Sequence, residues 1–372
     1  MDATPASALA PAARSHGGVL ALRAIGLIVF DLDRTERFYR DTLDLRTVAR
    51  RRLEDSFLNA LFGLPAGPVD VLTMQLGDQR VEFTQFARPG RPYPADSQSA
   101  DLWFQHFAIV VSDMDAAYAR VRAAGVQPIS LNGPETLPER NGGVRAFKFR
   151  DPDGHPLELL WFPPGQGRAF WRGRTGLFLG IDHSAIAVSS TEKSLAFYQG
   201  LLGLHSAYAG TNEGETQERL DGAAGAVVRI TGLQAAGPQG PGIEFLQYEK
   251  PATGRPAAGI RADDAAHAHL TLVVDSLQEI LAAPEAQRFS ASALYLNGNV
   301  CSASIVDPDG HVLVLEEKTP PPSFSAYGMV MNTERGRRQG LSLSRLDKAG
   351  GRPDPGFTVM SFEQFFYAGW LW

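Results

Sequence analysis

The stretch FKFRDPDGHPLELL, residues 147–160, decides the fold, because it returns as ASIVDPDGHVLVLEE at residues 303–317. An Asp-Pro-Asp-Gly turn between two apolar runs spells a β-hairpin: proline presets the first turn dihedral and glycine accepts the left-handed one. Earlier in each half, DLDRTERFYRDTLDL (31–45) returns as SSTEKSLAFYQGLLGL (189–204), with Phe38-Tyr39 and Phe197-Tyr198 at matching points. A duplication at this spacing makes each copy a structural unit, so equivalent positions can be compared within one chain.

Each half divides again. In the first, LRAIGLIVFDL (22–32) alternates like a strand, DRTERFYRDTL (33–43) has helical spacing with Phe38 and Leu43 on one side, and VDVLTMQLGDQRVEFTQF (69–86) folds back across Gly77-Asp78. FQHFAIVVSD (104–113) and the helical MDAAYARVRAAG (114–125) lead to the 147–160 hairpin. IDHSAIAVSS (181–190), TEKSLAFYQGLLG (191–203) and GPGIEFLQYEKP (240–251) repeat the order, as do HAHLTLVVDS (267–276), LQEILAAPEAQ (277–287) and the hairpin ending at Glu317. The spacing predicts an α+β chain of four βαβββ modules. Phe38, Tyr39, Phe197 and Tyr198 are expected in the core, and His155 and His311, beside the turns, at the surface. The connectors ARPGRPYPADSQSAD (87–101), FPPGQGRAFWRGRTG (162–176) and EKPATGRPAAGIRADD (249–264) read as linkers, and their similar lengths do not say which modules pack together.

With 372 residues, 44% of them hydrophobic, the chain can bury two cores of ordinary domain size. A net charge of −6 and scattered Lys and Arg form no basic stripe, which argues against nucleic acid as a partner. Cys301 is the only cysteine, which excludes an intrachain disulfide framework and a Cys-rich zinc site and fits a reducing compartment. Residues 1–18 lack the basic start and apolar core of a signal peptide, and no run is apolar for long enough to span a bilayer. The expectation is a cytoplasmic protein, monomer or homodimer, whose partner is a small-molecule substrate.

On HFAIVVSDMDAA (106–117), DHSAIAV (182–188) with SLAFYQGLLGL (194–204), and the two DPDGH hairpins, the chain resembles the vicinal oxygen chelate superfamily. That group includes glyoxalase I, type I extradiol dioxygenases, epimerases, and the fosfomycin- and bleomycin-resistance proteins. The resemblance covers residues 19–318. It implies two glyoxalase-like domains, 19–167 and 176–318, of two modules each, built as paired, open β-sheet barrels with helices outside. Residues 319–372, ending in FEQFFYAGWLW, form a tail beyond it. It also implies a metal in the concavity between paired modules, each module offering a His from its first strand and a Glu from its last. Imidazole nitrogen with carboxylate oxygen suits a divalent transition metal and leaves positions open for a substrate chelating through two oxygens.

Taken module by module, these positions are Ala24 and Glu82, His106 and Glu158, His183 and Glu244, and His269 and Val314. If consecutive modules pair, each half keeps three ligands: Glu82, His106 and Glu158, or His183, Glu244 and His269. If the second pairs with the third, as in tandem glyoxalase I chains, one site keeps His106, Glu158, His183 and Glu244. The other is left with Glu82 and His269. Both losses falling in one redundant site is the simpler history, and the second pairing is favoured. Glu316, two residues past Val314, could replace the missing ligand, although EEK reads more simply as a solvated strand end. His267, before its strand, has no assigned role.

The resemblance thus implies one divalent metal, Zn, Ni, Co, Fe or Mn, and a glyoxalase-like lyase or isomerase in which Glu158 or Glu244 is the base. Extradiol ring cleavage is an alternative, but it would need His183, His269 and a carboxylate at position 314, where Val314 stands. A second alternative is a drug-sequestering binder with Trp103, Phe104 and Trp161 lining its pocket.

Overall fold

Alternating strands and capped helices build the four modules in order. The computed structural model describes residues 18–54, 57–103, 105–237, 240–252, 254–297, 299–318, 329–332, 341–343 and 357–359; the aromatic segment 362–372 lies outside the described residues. The first module is β1 (Val19–Ile28), α1 (Leu32–Leu43), β2 (Arg46–Leu53), α2 (Phe57–Leu61), β3 (Val69–Leu76) and β4 (Gln79–Phe86). The second is β5 (Gln105–Val111), α3 (Met114–Ala123), β6 (Gln127–Pro128), β7 (Glu135–Thr136), β8 (Arg145–Arg150) and β9 (Pro156–Trp161). The third is β10 (Phe178–Ala187), α4 (Thr191–Leu195), β11 (His205–Glu213), α5 (Glu215–Asp221), β12 (Val227–Gln234) and β13 (Gly242–Lys250). The fourth is β14 (Ala268–Val274), α6 (Leu277–Ala282), β15 (Tyr295–Asn297), β16 (Val300–Val306) and β17 (Val312–Lys318). Three short strands follow: β18 (Met329–Asn332), β19 (Leu341–Leu343) and β20 (Phe357–Val359).

The first helix of every module starts on a short polar residue whose side chain accepts a backbone N–H of the first turn: Asp31, Asp113, Ser190 and Ser276. These caps satisfy donors that the helix leaves unpaired and set the point where strand becomes helix.

Two curled, open sheets result. One runs β11-β12-β13-β10-β5-β9-β8-β6, with β7 beside β8, and so joins the third module to the second. The other runs β2-β3-β4-β1-β14-β17-β16-β15 and continues through β19-β18-β20, joining the first module to the fourth. Apolar side chains from both sheets and from α1, α3 and α6 form one core, with Tyr39, Phe83, Phe107, Phe147, Phe197, Tyr198 and Phe245 fully buried within it. No helix among the described residues is long and apolar enough to cross a membrane.

The DPDGH hairpins also hold the sheets to each other. Tyr39 of the first module donates its hydroxyl to Asp151 in the hairpin of the second at 2.9 Å, and Tyr198 of the third donates to Asp307 in that of the fourth at 3.2 Å. His155 and His311 are buried, 2% and 7% exposed, which corrects the surface expectation. The reason is that each turn folds inward on its Asp: the His155 and His311 backbone N–H groups donate to Asp151 and Asp307, His155 Nδ1 lies 2.8 Å from Asp151, and His311 Nε2 lies 2.9 Å from the Ala187 carbonyl.

The first and third connectors are not free linkers either. They bind each other reciprocally: Arg91 N donates to Asp264 and Arg255 N to Asp101, at 2.7 and 2.9 Å, and each guanidinium closes on the same carboxylate. The Gly-Arg-Pro repeated in the two segments supplies both arginines of this clasp.

Candidate metal centre

Strand register assembles the site. In the sheet of the second and third modules, β10 and β5 run antiparallel with His183 opposite Ala108 and Ala185 opposite His106. The two histidines stand two positions apart and therefore share a face. The parallel neighbours bring Glu244 of β13 level with Ala185 and Glu158 of β9 level with Ala108. Four adjacent strands thus bring together His106, Glu158, His183 and Glu244.

Glu158 Oε2 lies 3.4 Å from His106 Nε2 and 3.8 Å from His183 Nε2, and Glu244 Oε1 lies 3.6 Å from His183 Nε2. Two atoms each about 2.1 Å from a shared ion sit roughly 3–4 Å apart, so these spacings suit coordination. Ligand atoms of His106, Glu158 and His183 all lie within 4.8 Å of one another, the one such group among the described residues. His183 Nε2 is buried without a hydrogen bond, while its Nδ1 is committed to Asp182 Oδ2 at 3.1 Å. That bond orients the ring with Nε2 toward the carboxylates, so that loss of the Nε2 proton leaves the tautomer a metal-bound histidine uses, the outer-shell arrangement of such a ligand. The residues present fit a divalent metal.

Charge points the same way. Burial would raise the Glu158 carboxyl, but Lys148 across the β8–β9 pair, with His106 and His183, holds it down at about 2. Burial keeps His106 below its ordinary value. Burial also opposes charge on His183, yet Glu244, Asp182 and Glu158 outweigh it and lift that imidazole to about 9. Lys148 itself is buried and donates to Asp221 at 2.7 Å, and Asp221 further accepts Gln217 Nε2 and the Tyr248 hydroxyl. Arg168 and Trp171, from the second connector, donate to Asp182 Oδ1. Carboxylates exceed permanent cations around the cleft, and a proton on His183 makes up part of the difference.

Asp182 could have been noticed in sequence, since it sits beside His183 in DHSAIAV. Lys148 and Tyr208, whose hydroxyl donates to Glu244 at 2.7 Å, carry no local signal: only strand register and curvature bring them to the ligands.

The other sheet presents the same frame with only Glu82 and His269 of the four ligand positions filled. Ala24 lies opposite Thr271, Gly26 opposite His269, Glu82 level with Gly26, and Val314 level with Thr271. Arg23 has moved in: its guanidinium lies 3.1 Å from Glu82 and 2.8 Å from Glu316. Glu316 is neither a solvated strand end nor grouped with metal-ligating side chains, because Arg23 holds it. The His269 ring lies over Gly26, in the space a side chain there would fill, and packs at an angle beside Phe62, which His267 also meets edge-on.

The ring-cleavage set of His183, His269 and position 314 is divided between the two sheets. Trp103 belongs to the first connector, where its Nε1 donates to Ser97 beneath Arg255. Trp161 packs on the core and is three residues from Glu158, on the other face of β9. Phe104 lies outside the described residues.

The backbone is similar to glyoxalase I from Zea mays (TM-score 0.52, 18% identity, 80% of this chain and 92% of that one) and to a mutant form of that protein (0.54, 17%, 80% and 94%). A putative dioxygenase from Bacillus subtilis subsp. subtilis str. 168 gives 0.50 at 14% identity over 82% and 86%. At these identities the likeness shows the fold alone. No curated protein matches the sequence. The model of the Glyoxalase/Bleomycin resistance protein/Dioxygenase superfamily matches residues 21–159 and 180–315, well over half of the chain, and the protein therefore belongs to that superfamily.

Proposed function

We propose that the protein is a metal-dependent enzyme of the vicinal oxygen chelate type, a glyoxalase-like lyase or isomerase acting on a small molecule with oxygens on adjacent carbons. The observation that carries this reading is the convergence of His106, Glu158, His183 and Glu244 on one concavity, with His183 Nε2 buried among carboxylates and free of hydrogen bonds. One divalent transition metal, Zn, Ni, Co, Fe or Mn, would be held by these four residues. Each chain half, 19–167 and 176–318, contributes one module to the site.

When bound, the cation would polarise the substrate's paired oxygens and acidify the neighbouring C–H. The residues of the chain supply the rest. His106 and His183 orient the site from its two central strands. Glu158 is held ionised in the resting site by Lys148, with His106 and His183. A carboxylate oxygen of Glu244 or Glu158 takes the proton from carbon, the released electron pair moves onto the carbonyl oxygen, and the same carboxylic acid returns the proton to the adjacent carbon while the hydroxyl proton passes from one substrate oxygen to the other. Glu244 has the more suitable setting, since its other oxygen is anchored by Tyr208 while Glu158 is held ionised by the nearby Lys148 charge.

Metal-reconstituted protein should therefore catalyse deuterium wash-in at the C–H beside the carbonyl of α-hydroxycarbonyl compounds or hemithioacetals, observed by NMR, and His106→Ala should abolish it. A protein that takes up no divalent metal would sink this reading and leave the sequestering binder in its place.

A further inference from the structure

We infer that Tyr208 is a positioning residue for Glu244 and that Gly232 is the gap that lets it reach; the inference rests on the metal-site reading above. Tyr208 of β11 pairs with Gly232 of β12, which pairs with Glu244 of β13, so the three residues form one row across adjacent strands. A β-bulge between Ser206 and Tyr208 re-aims the side chain along this row. The ring occupies the space over Gly232: a Cβ there would come within 2.2 Å of it. Gly232 has no left-handed φ, so its backbone does not require glycine, and glycine inside a strand weakens it. The space is used by the tyrosine.

The result is a divided carboxylate. Glu244 Oε2 accepts the Tyr208 hydroxyl at 2.7 Å, while Oε1 faces His183 Nε2 at 3.6 Å. One oxygen is tied and one is presented, as in a ligand held to single-oxygen coordination. Tyr208 is 46% exposed, too much for a packing role to account for it. The duplicated sheet provides the comparison: the row there is Ala49, Thr73 and Glu82, with neither tyrosine nor gap, and Glu82 turns to Arg23.

Cobalt titration of the full chain, followed by visible absorption, tests this. Tyr208→Phe should weaken cobalt binding by about 10–100-fold, the range for loss of an outer-shell partner, and alter the cobalt spectrum, while leaving the melting temperature of the metal-free protein unchanged. Gly232→Val should reproduce the effect by displacing the ring, and the double variant should lose no more than either single one. Unchanged affinity and spectrum in Tyr208→Phe, or losses that add, would overturn the inference while the metal-site reading stands. A wild-type protein that binds no cobalt overturns both.

Discussion

Arg23 and Asp182 stand one residue before equivalent strand positions, Ala24 and His183, and carry opposite charge. Asp182 turns to the His183 ring and orients it, whereas Arg23 turns into its own cleft and takes up Glu82 and Glu316. A guanidinium there supplies from within the positive charge that the other cleft lacks. Two copies of one frame have become chemically distinct through a change of sign.

One metal per chain is the expected stoichiometry. His106→Ala and His183→Ala should each weaken binding by more than about 100-fold, beyond the effect of an outer-shell loss, whereas His269→Ala should leave it unchanged. Chelator-competition titrations of the three variants measure the contrast. Equal impairment of His183→Ala and His269→Ala, with His106→Ala unaffected, would reverse the assignment.

Asp182→Asn should weaken metal binding by about 10–100-fold, because an amide cannot match the carboxylate in fixing His183 Nδ1–H. The same titration reads it, with circular dichroism to show that the fold is kept. Native affinity in this variant would remove Asp182 from the site.

The metal-free protein should be most stable near pH 6.5. His183 is lifted to about 9 against burial by Glu244, Asp182 and Glu158, so its contribution is complete below the unfolded value near 6.5 and disappears as pH rises through 9. His267 and His269 run the other way: burial, helped by each one's neighbouring charge, His269 or Arg23, holds them at about 3 and about 4. Their contribution is complete above 6.5 and is lost as pH falls toward those values. Thermal melts across pH 4–10 should show both limbs. Metal should flatten the alkaline limb by binding neutral His183, and His267→Gln with His269→Gln should flatten the acid one. A metal-free protein most stable at pH 9 would contradict the charge assignment.

Removing Asp151 should be among the costlier substitutions in the chain. It is buried and receives the Tyr39 hydroxyl, the His155 ring and the backbone N–H groups of Asp153 and His155. Asp151→Ala should cost about 3–5 kcal/mol in denaturant unfolding, as when one partner of a buried charge network is removed. Tyr39→Phe, which deletes one hydrogen bond and keeps the ring, should cost about 1–2 kcal/mol. A loss under 1 kcal/mol for Asp151→Ala would mean that the hairpin does not depend on it.

The four modules, their first helices and the two Asp-Pro-Asp-Gly hairpins were legible in the sequence because each depends on neighbours within a few residues. The repeat supplied more: it aligned His106, His183 and His269 with Ala24, and Glu82, Glu158 and Glu244 with Val314, and the strand registers match that alignment position by position. What tertiary structure decided is which modules share a sheet, and hence which ligand positions share a cleft, since edge-to-edge pairing of β10 with β5 and β1 with β14 leaves no local trace. It also decided the burial of His155 and His311, the clasp between connectors, and the arrival of Lys148, Tyr208 and Arg23 at their clefts. Each of these is a contact between side chains distant along the chain, set by register and sheet curvature, and periodicity within one strand says nothing about the strand beside it.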